Sequence, residues 1–262
     1  MKEVFPMNKL LFCGTGAADY SAPEEGKEFR KFCHTLLNDT ILFDIGLFTY
    51  RFEPIEDVDK RFAKVKTVIV THTHIDHFDM PSLEHLAAVN HGITVYLDSV
   101  ACARMPVNDY ITYIPVENGG TYHFDGHTLH TFSSNHRVTD PSEPTHHYVL
   151  DLPDGKSLYY GLDGAWIKND AANYMRGHAV DLMILDCTIG RIRGDSRIFE
   201  HNSIYMIEEM LPTIRACHMI KDGGKIYADH LAKTLHPSHD EVAKDLATIG
   251  MCVAKDGMEI EF

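Results

Sequence analysis

Short apolar runs punctuated by Gly, Pro, Asn and Asp recur along the chain, and most of them are too brief for helices. Runs of roughly four to eight residues with such punctuation read as strands. Residues 8–13 form the first, ending in Gly14-Thr15-Gly16, and the polar stretch 17–31 predicts an exposed loop. Residues 34–37 and 40–43 predict a hairpin through Asn38-Asp39. The runs 65–70 and 93–97 predict two further strands, the first fully buried. Hairpins are expected over 121–132, turning at Asp125-Gly126, and over 149–160, turning at Pro153-Asp154-Gly155. Helical spacing occurs at 81–89, 203–214 and 238–249, interleaved with strands at 181–185 and 225–228, and a small hairpin at Asp256-Gly257 closes the chain. Hairpins mixed with crossover helices predict an α/β fold, a sandwich of two mixed β-sheets with helices outside. The 262 residues suit one domain, 1–262, with no low-complexity linker and no short-period repeat.

The chemistry concentrates directly behind the run 65–70. His72, His74, Asp76 and His77 make H-x-H-x-D-H, four metal-ligand side chains in six positions. Imidazole nitrogens and carboxylate oxygens suit zinc and other borderline divalent ions. His72 and His74 alternate and can address one ion; Asp76 and His77 lie past the bend and can reach a second. A merely solvated His-rich turn would need this spacing by chance, after a strand, in a chain with further matching ligands. The Gly14-Thr15-Gly16 turn, by contrast, is too short for a dinucleotide or P-loop fingerprint.

H-x-H-x-D-H after a hydrophobic strand resembles the signature of the metallo-β-lactamase-fold hydrolases, and the likeness runs from Gly14 to Met258. That family's pattern asks for a later His, a bridging Asp and a last His. His136, Asp163 and His230, each behind a strand-like run, supply them. The resemblance implies a four-layer αββα sandwich with its site at one edge. It also implies two divalent ions, zinc foremost, with manganese or iron acceptable to the same donors. His72, His74 and His136 would hold one ion, Asp76, His77 and His230 the other, and Asp163 would bridge with its two oxygens. Two adjacent ions lower the pKa of a shared water toward neutrality and so make a nucleophile, which Asp76 would also orient.

Three further positions carry expectations. Asp44, before Ile45-Gly46, matches a motif whose carboxylate steadies the metal loop, and is equally a turn residue. Asp186 ends a strand, where it either orients a nearby His or caps a turn. His201, in Glu200-His201-Asn202-Ser203, matches the phosphodiesterase branch of the fold, where such a His protonates the leaving alkoxide. Its alternative is an exposed His at a helix N-terminus, a position where the dipole disfavours its charge. The likeness is nearest to the cyclic phosphodiesterases acting on phosphorylated ribose 1,2-cyclic phosphate, and more distant to tRNase Z. It departs from the former in lacking their Cys-rich zinc site, since only Cys33 lies in that region.

Composition narrows the partners. A formal charge of −14, from 24 Lys and Arg against 38 Asp and Glu, opposes broad electrostatic capture of nucleic acid. It leaves room for a small anionic phosphodiester, because bound ions would offset the charge locally. Arg137 and His236 are the expected substrate contacts, with Arg191 and Arg193 as further phosphate holders. His123, His127 and His130 fall in a hairpin, and of His146 and His147 alternation lets only one see the pocket. The start of the chain has no signal-peptide pattern and no stretch is long enough to span a membrane; the six scattered cysteines imply reduced thiols. A cytoplasmic setting is expected, and the family likeness allows a homodimer. The function so read is a dinuclear metal-dependent phosphodiesterase. Its alternatives are a carboxylic ester, thioester or lactone hydrolase of the same fold, a tRNA 3′-processing endonuclease, or a sensing protein that keeps the metals without catalysis.

Overall fold

Leu10 and Phe12 point to one side of the first strand and Leu11 to the other, and this period-two alternation, repeated strand by strand, builds two sheets. The computed structural model describes residues 7–262 apart from 21, 26, 27 and 48. β1 (Lys9–Gly14), β2 (His34–Leu37) and β3 (Ile41–Phe43) form an antiparallel meander. β4 (Thr67–Ile69), β5 (Ile93–Asp98) and β6 (Ile111–Val116) then add in parallel. Their crossovers carry α1 (Ile55–Phe62), α2 (Met80–Val89) and α3 (Ser99–Cys102).

The second half repeats the plan. β7 (Thr121–Phe124), β8 (His127–Ser133), β9 (His146–Asp151) and β10 (Ser157–Gly161) run antiparallel. β11 (Val180–Asp186), β12 (Ile220–Asp229) and β13 (Cys252–Val253) follow in parallel. α4 (Asn169–Gly177), α5 (Ile204–Ala216) and α6 (His239–Ala247) lie between them, and β14 (Met258–Glu261) returns to the free side of β1. The sheet orders are β14-β1-β2-β3-β4-β5-β6 and β13-β12-β11-β10-β9-β8-β7.

Three apolar layers glue these elements together. Phe12, Phe43, Ile69, Tyr148, Tyr160 and Ile184 belong to the core between the sheets. Within it Phe43 stacks on Tyr160 at 4.5 Å between centroids. Val58, Phe62, Leu83 and Leu86 of α1 and α2 seal the outside of the first sheet. Met175, Ile207, Leu211 and Leu246 of α4, α5 and α6 seal the second. The result is the αββα sandwich the sequence implied.

Local chemistry accounts for the turns and for what sequence reading missed. Asn38 and Asp39 both take left-handed backbone (φ 49° and 60°) in the three-residue loop between the paired Leu37 and Ile41, where Thr40 N donates to the Leu37 carbonyl at 3.1 Å. α1, α3, α4 and β6 were not foreseen; α1 and α4 are mostly polar, and β6 contains Pro115, tolerated because β6 is an edge strand. The segment 17–31 is not simply an exposed loop. Ala17, Tyr20 and Arg30 are buried, because Gly16 bridges to Phe32 and Leu231 and Arg30 donates to Thr15 Oγ1 and the Ala254 carbonyl. Among the described residues no helix is long and apolar enough to cross a membrane.

Candidate metal centre

The parallel strands of both sheets end at one rim of the sandwich, and the polar residues of interest follow those ends. Asp44 follows β3, His72 lies just beyond β4, Asp163 beyond β10, Asp186 ends β11 and His230 follows β12. Past Ile69 the chain bends out and is pinned as it goes. Thr71 N and Oγ1 donate to Asp44 at 2.8 and 3.0 Å. Ile45 N donates to the His77 carbonyl at 2.8 Å and Asp79 N to the Ile45 carbonyl at 2.7 Å. A Cβ on Gly46 would stand 2.0 Å from the Asp76 carbonyl oxygen, so only glycine permits this approach. Asp79 then caps α2 by accepting from Ser82 N at 2.9 Å.

The pinned loop aims its donors inward. His72 Nε2 lies 3.1 Å from His74 Nδ1, His136 Nε2 lies 2.9 Å from the same atom, and Asp163 Oδ2 stands 3.2 and 3.4 Å from His72 and His136. A second group forms beside it. His77 Nε2 and His230 Nε2 are 3.1 Å apart, Asp76 Oδ2 is 3.6 and 3.3 Å from them, and Asp163 Oδ2 is 3.3 Å from His77. Nitrogen and oxygen donors about 2.0–2.1 Å from one tetrahedral ion stand about 3.3 Å from one another, so both groups fit a divalent ion in spacing and in donor type. One oxygen of Asp163 faces both groups. The other, Oδ1, turns away to His230 Nδ1 at 3.0 Å and His201 Nδ1 at 3.4 Å, which differs from a bridge made by two oxygens.

Neighbours fix the imidazole tautomers. His77 Nδ1 donates to Asp44 Oδ2 at 2.9 Å, leaving Nε2 for the cluster. Thr188 Oγ1 donates to Asp186 Oδ2 at 2.8 Å and accepts from His230 Nδ1 at 2.7 Å and His201 Nδ1 at 3.0 Å. Asp186 also accepts from His201 Nδ1 at 3.0 Å and from Asn202 N at 2.8 Å, so it both orients a His and fastens a turn. Glu200 comes within 3.5 Å of His136 Nδ1. Asp44, Asp163 and His230 all sit in left-handed backbone (φ 59°, 50° and 58°), a clustering of unusual conformations typical of functional sites.

The electrostatics favour positive charge here. Burial, then His77, holds His72 well below the ordinary imidazole value, which keeps it neutral as a ligand must be. Burial opposes charge on His77 and His230 too, but Asp163 with its fellow carboxylates outweighs it and raises both. Asp76, Asp163 and Asp186 are held low by the facing imidazoles in spite of burial. His201 is raised, burial being outweighed by Asp163 and Asp186.

A cavity of about 270 Å³ opens onto the cluster. His74, Asp76, His136, Asp163, His201 and His230 form its polar floor, and Ala17, Ala18 and Ala232 give it a small apolar wall. Asp19, Thr188 and Arg197 complete the lining. The sequence assigned none of these three a role, although Thr188 stands just beyond Asp186; long-range packing brings them to the cavity.

The other expected residues lie elsewhere. Arg137 is exposed on the rim of a separate depression beside Glu143 and Lys168, outside the cavity lining. His236 gives its Nε2 to the Cys187 carbonyl at 2.7 Å. Arg191 is occupied by Asp245 and Glu208, and Arg193 lies over the Tyr205 ring. His146 and His147 are both buried on opposite faces of β9, paired with Asp98 and Tyr159, and neither lines the cavity. His130 pairs with Asp151, His123 with Thr128, and His127 stacks on Phe124. All six cysteines are free thiols.

Comparison with known proteins identifies the family and the fold. The family model described as a beta-lactamase superfamily domain matches residues 34–226. Ribonuclease Z of Staphylococcus aureus (strain MSSA476) is 28% identical over 160 residues, covering 56% of this chain and 50% of that protein. The chain thus spans about half the length of the curated relatives it matches. The metallo-beta-lactamase fold protein YhfI from Bacillus subtilis superposes with a TM-score of 0.71 at 15% identity, over 97% of this chain and 99% of that one. A diphosphatase from the PhnP family gives 0.70 at 16% identity over 98% of each chain. Yeast PDE1 gives 0.70 at 10% identity, over 98% and 99%. At such identities these structures share the fold alone.

Proposed function

The chain belongs to the beta-lactamase superfamily, and from that premise we propose that it is a two-metal phosphodiesterase acting on a small, cyclic phosphodiester. His72, His74, His136 and Asp163 would hold one divalent ion, zinc or manganese, and Asp76, His77, His230 and Asp163 the other. When bound, such ions supply Lewis-acid stabilisation of charge on phosphoryl oxygens and activate water for attack.

The observation that carries the diester reading is His201. Asp186 and Thr188 take its Nδ1, so Nε2 is the nitrogen left for a substrate, and its ring stacks on His230 at 5.7 Å along the cavity wall. A protonated His there can deliver its proton to a departing alkoxide, with Asp186 stabilising the charged ring beforehand. Carboxylic esters with good leaving groups need no acid so placed. Asp76, ionised and beside His230, is set to orient the attacking water. The alanine wall suits a compact substrate, and Arg197, which lines the cavity with its guanidinium paired to Asp195 at 2.9 and 2.7 Å, would have to loosen that pair to meet a second anionic group.

The test is turnover of bis(p-nitrophenyl) phosphate and p-nitrophenyl acetate by protein loaded separately with zinc and manganese. Metal-dependent diester cleavage with little ester cleavage is expected. Ester cleavage alone would move the assignment to carboxylic substrates. A second reading, RNA 3′-end processing, is favoured by the likeness to Ribonuclease Z and opposed by the charge of −14. Cleavage of a labelled tRNA precursor at moderate salt would select it.

A further inference from the structure

Glu143 is not one of the seven ligands, yet it grips the backbone between two of them. Its carboxylate is fully buried and accepts from Thr73 N at 3.0 Å and from Thr73 Oγ1 at 2.7 and 2.8 Å. Thr73 is the residue between His72 and His74. Arg104, just past α3, donates to the other side of the same carboxylate and also reaches Asp140. Burying a carboxylate is costly unless donors surround it, and here the donors are the metal loop on one side and a guanidinium on the other.

The segment that carries Glu143 also carries a ligand. It runs from His136 to β9, and Thr145 Oγ1 donates back to the His136 carbonyl at 2.9 Å. His146 N donates to the Thr71 carbonyl at 3.0 Å. Two distant stretches thus supply the three imidazoles of the first group, and Glu143 joins them, bonding the residue between His72 and His74 from the segment that follows His136. Among the described residues the second group has no such carboxylate tie to this segment: His77 leans on Asp44 and His230 on Thr188.

We propose that Glu143, held by Arg104, is a positioning residue that sets the separation and aim of His72 and His74 relative to His136, and so the ion affinity of the first group specifically. This rests on the reading that the two groups bind ions. A residue that merely fastened a surface loop would affect stability without distinguishing the groups.

The experiment is zinc titration by calorimetry on the full, metal-stripped chain, with thermal unfolding recorded for each variant. Wild type should take up two ions. In Glu143→Ala one ion should weaken by about 10–100-fold, the scale typical of losing a partner that orients ligands, while the other stays near wild type. Glu143→Gln, which keeps an acceptor for Thr73, should recover most of the loss. In a His230→Ala background, where the first group is the intact one, Glu143→Ala should weaken the remaining ion by the same factor. If Glu143→Ala does not fold, Thr73→Val carries the test, with a smaller loss confined to one ion. Unchanged affinities, or equal weakening of both ions, would overturn the inference while leaving the site reading in place. A wild-type chain that binds no ion would overturn both.

Discussion

Asp44 stands behind His77, taking the Nδ1 proton at 2.9 Å while His77 Nε2 faces His230 Nε2 at 3.1 Å. The same carboxylate accepts from Thr71 N and Oγ1, so one buried group sets both the ring's tautomer and the path of the loop that carries it. Asp44→Asn should therefore lower zinc affinity by about 10–100-fold, measured by competition with a chelator of known affinity. Wild-type affinity in the variant would reduce Asp44 to a turn residue.

His201 divides proton transfer from metal binding. His201→Ala should lower kcat by about 10²–10⁴-fold on a diester whose leaving group is an alkoxide. The loss should be much smaller with p-nitrophenolate, which departs without a proton. Bound zinc, counted by elemental analysis, should stay at the wild-type level. Equal losses with both leaving groups would give His201 a structural role.

The sandwich and the first four residues of the cluster were legible because both are written locally, whereas His136, Asp163 and His230 followed from the family resemblance. A period-two strand pattern shows in any short window, and His72, His74, Asp76 and His77 share one turn. What escaped was long-range. Glu143 matters only because a loop seventy residues downstream folds back on Thr73. Arg137 adjoins a ligand in sequence, but its neighbour His136 points into the cluster while Arg137 is exposed outside the cavity lining. Adjacency along a chain does not fix direction. α1 buries only Val58 and Phe62 of its eight residues, too narrow a stripe to announce a helix. Arg197 reaches the cavity from a single 3₁₀ turn that has no strong sequence signal.

Stability should depend on pH through a histidine that is not part of the metal cluster. His34, in β2, is fully buried, and burial lowers its pKa from the ordinary 6.5 to about 4. Above about pH 6.5 neither state is protonated at this residue and stability is unaffected. As pH falls from there toward 4, the unfolded chain takes up a proton that the folded chain refuses, so stability is lost progressively. The difference of roughly 2.5 units corresponds to about 3 kcal/mol. Denaturant unfolding of metal-stripped protein at intervals across that window should show the decline, and His34→Gln should flatten it by about that amount. An equal slope in the variant would assign the dependence to other groups.

Ion binding should couple to folding because the donors converge only in the folded chain. Asp163 Oδ2 faces both groups, and Asp76, His72, His77 and His230 are buried with it. The unfolded chain offers no such convergence, so an ion that prefers the folded state stabilises it by about 2.7 kcal/mol at a hundredfold excess over its dissociation constant. For a chain of this size each kcal/mol moves the midpoint by about 2–4 °C. Thermal unfolding in zinc should therefore lie roughly 5–10 °C above that in a chelator at the same pH. Asp163→Asn, which weakens the one oxygen shared by both groups, should shrink that gap more than a change at His74, which serves one group alone. Superimposable curves with and without zinc in the wild type would mean that the folded chain holds the ion no better than the unfolded one, and the two-metal reading would fall with them.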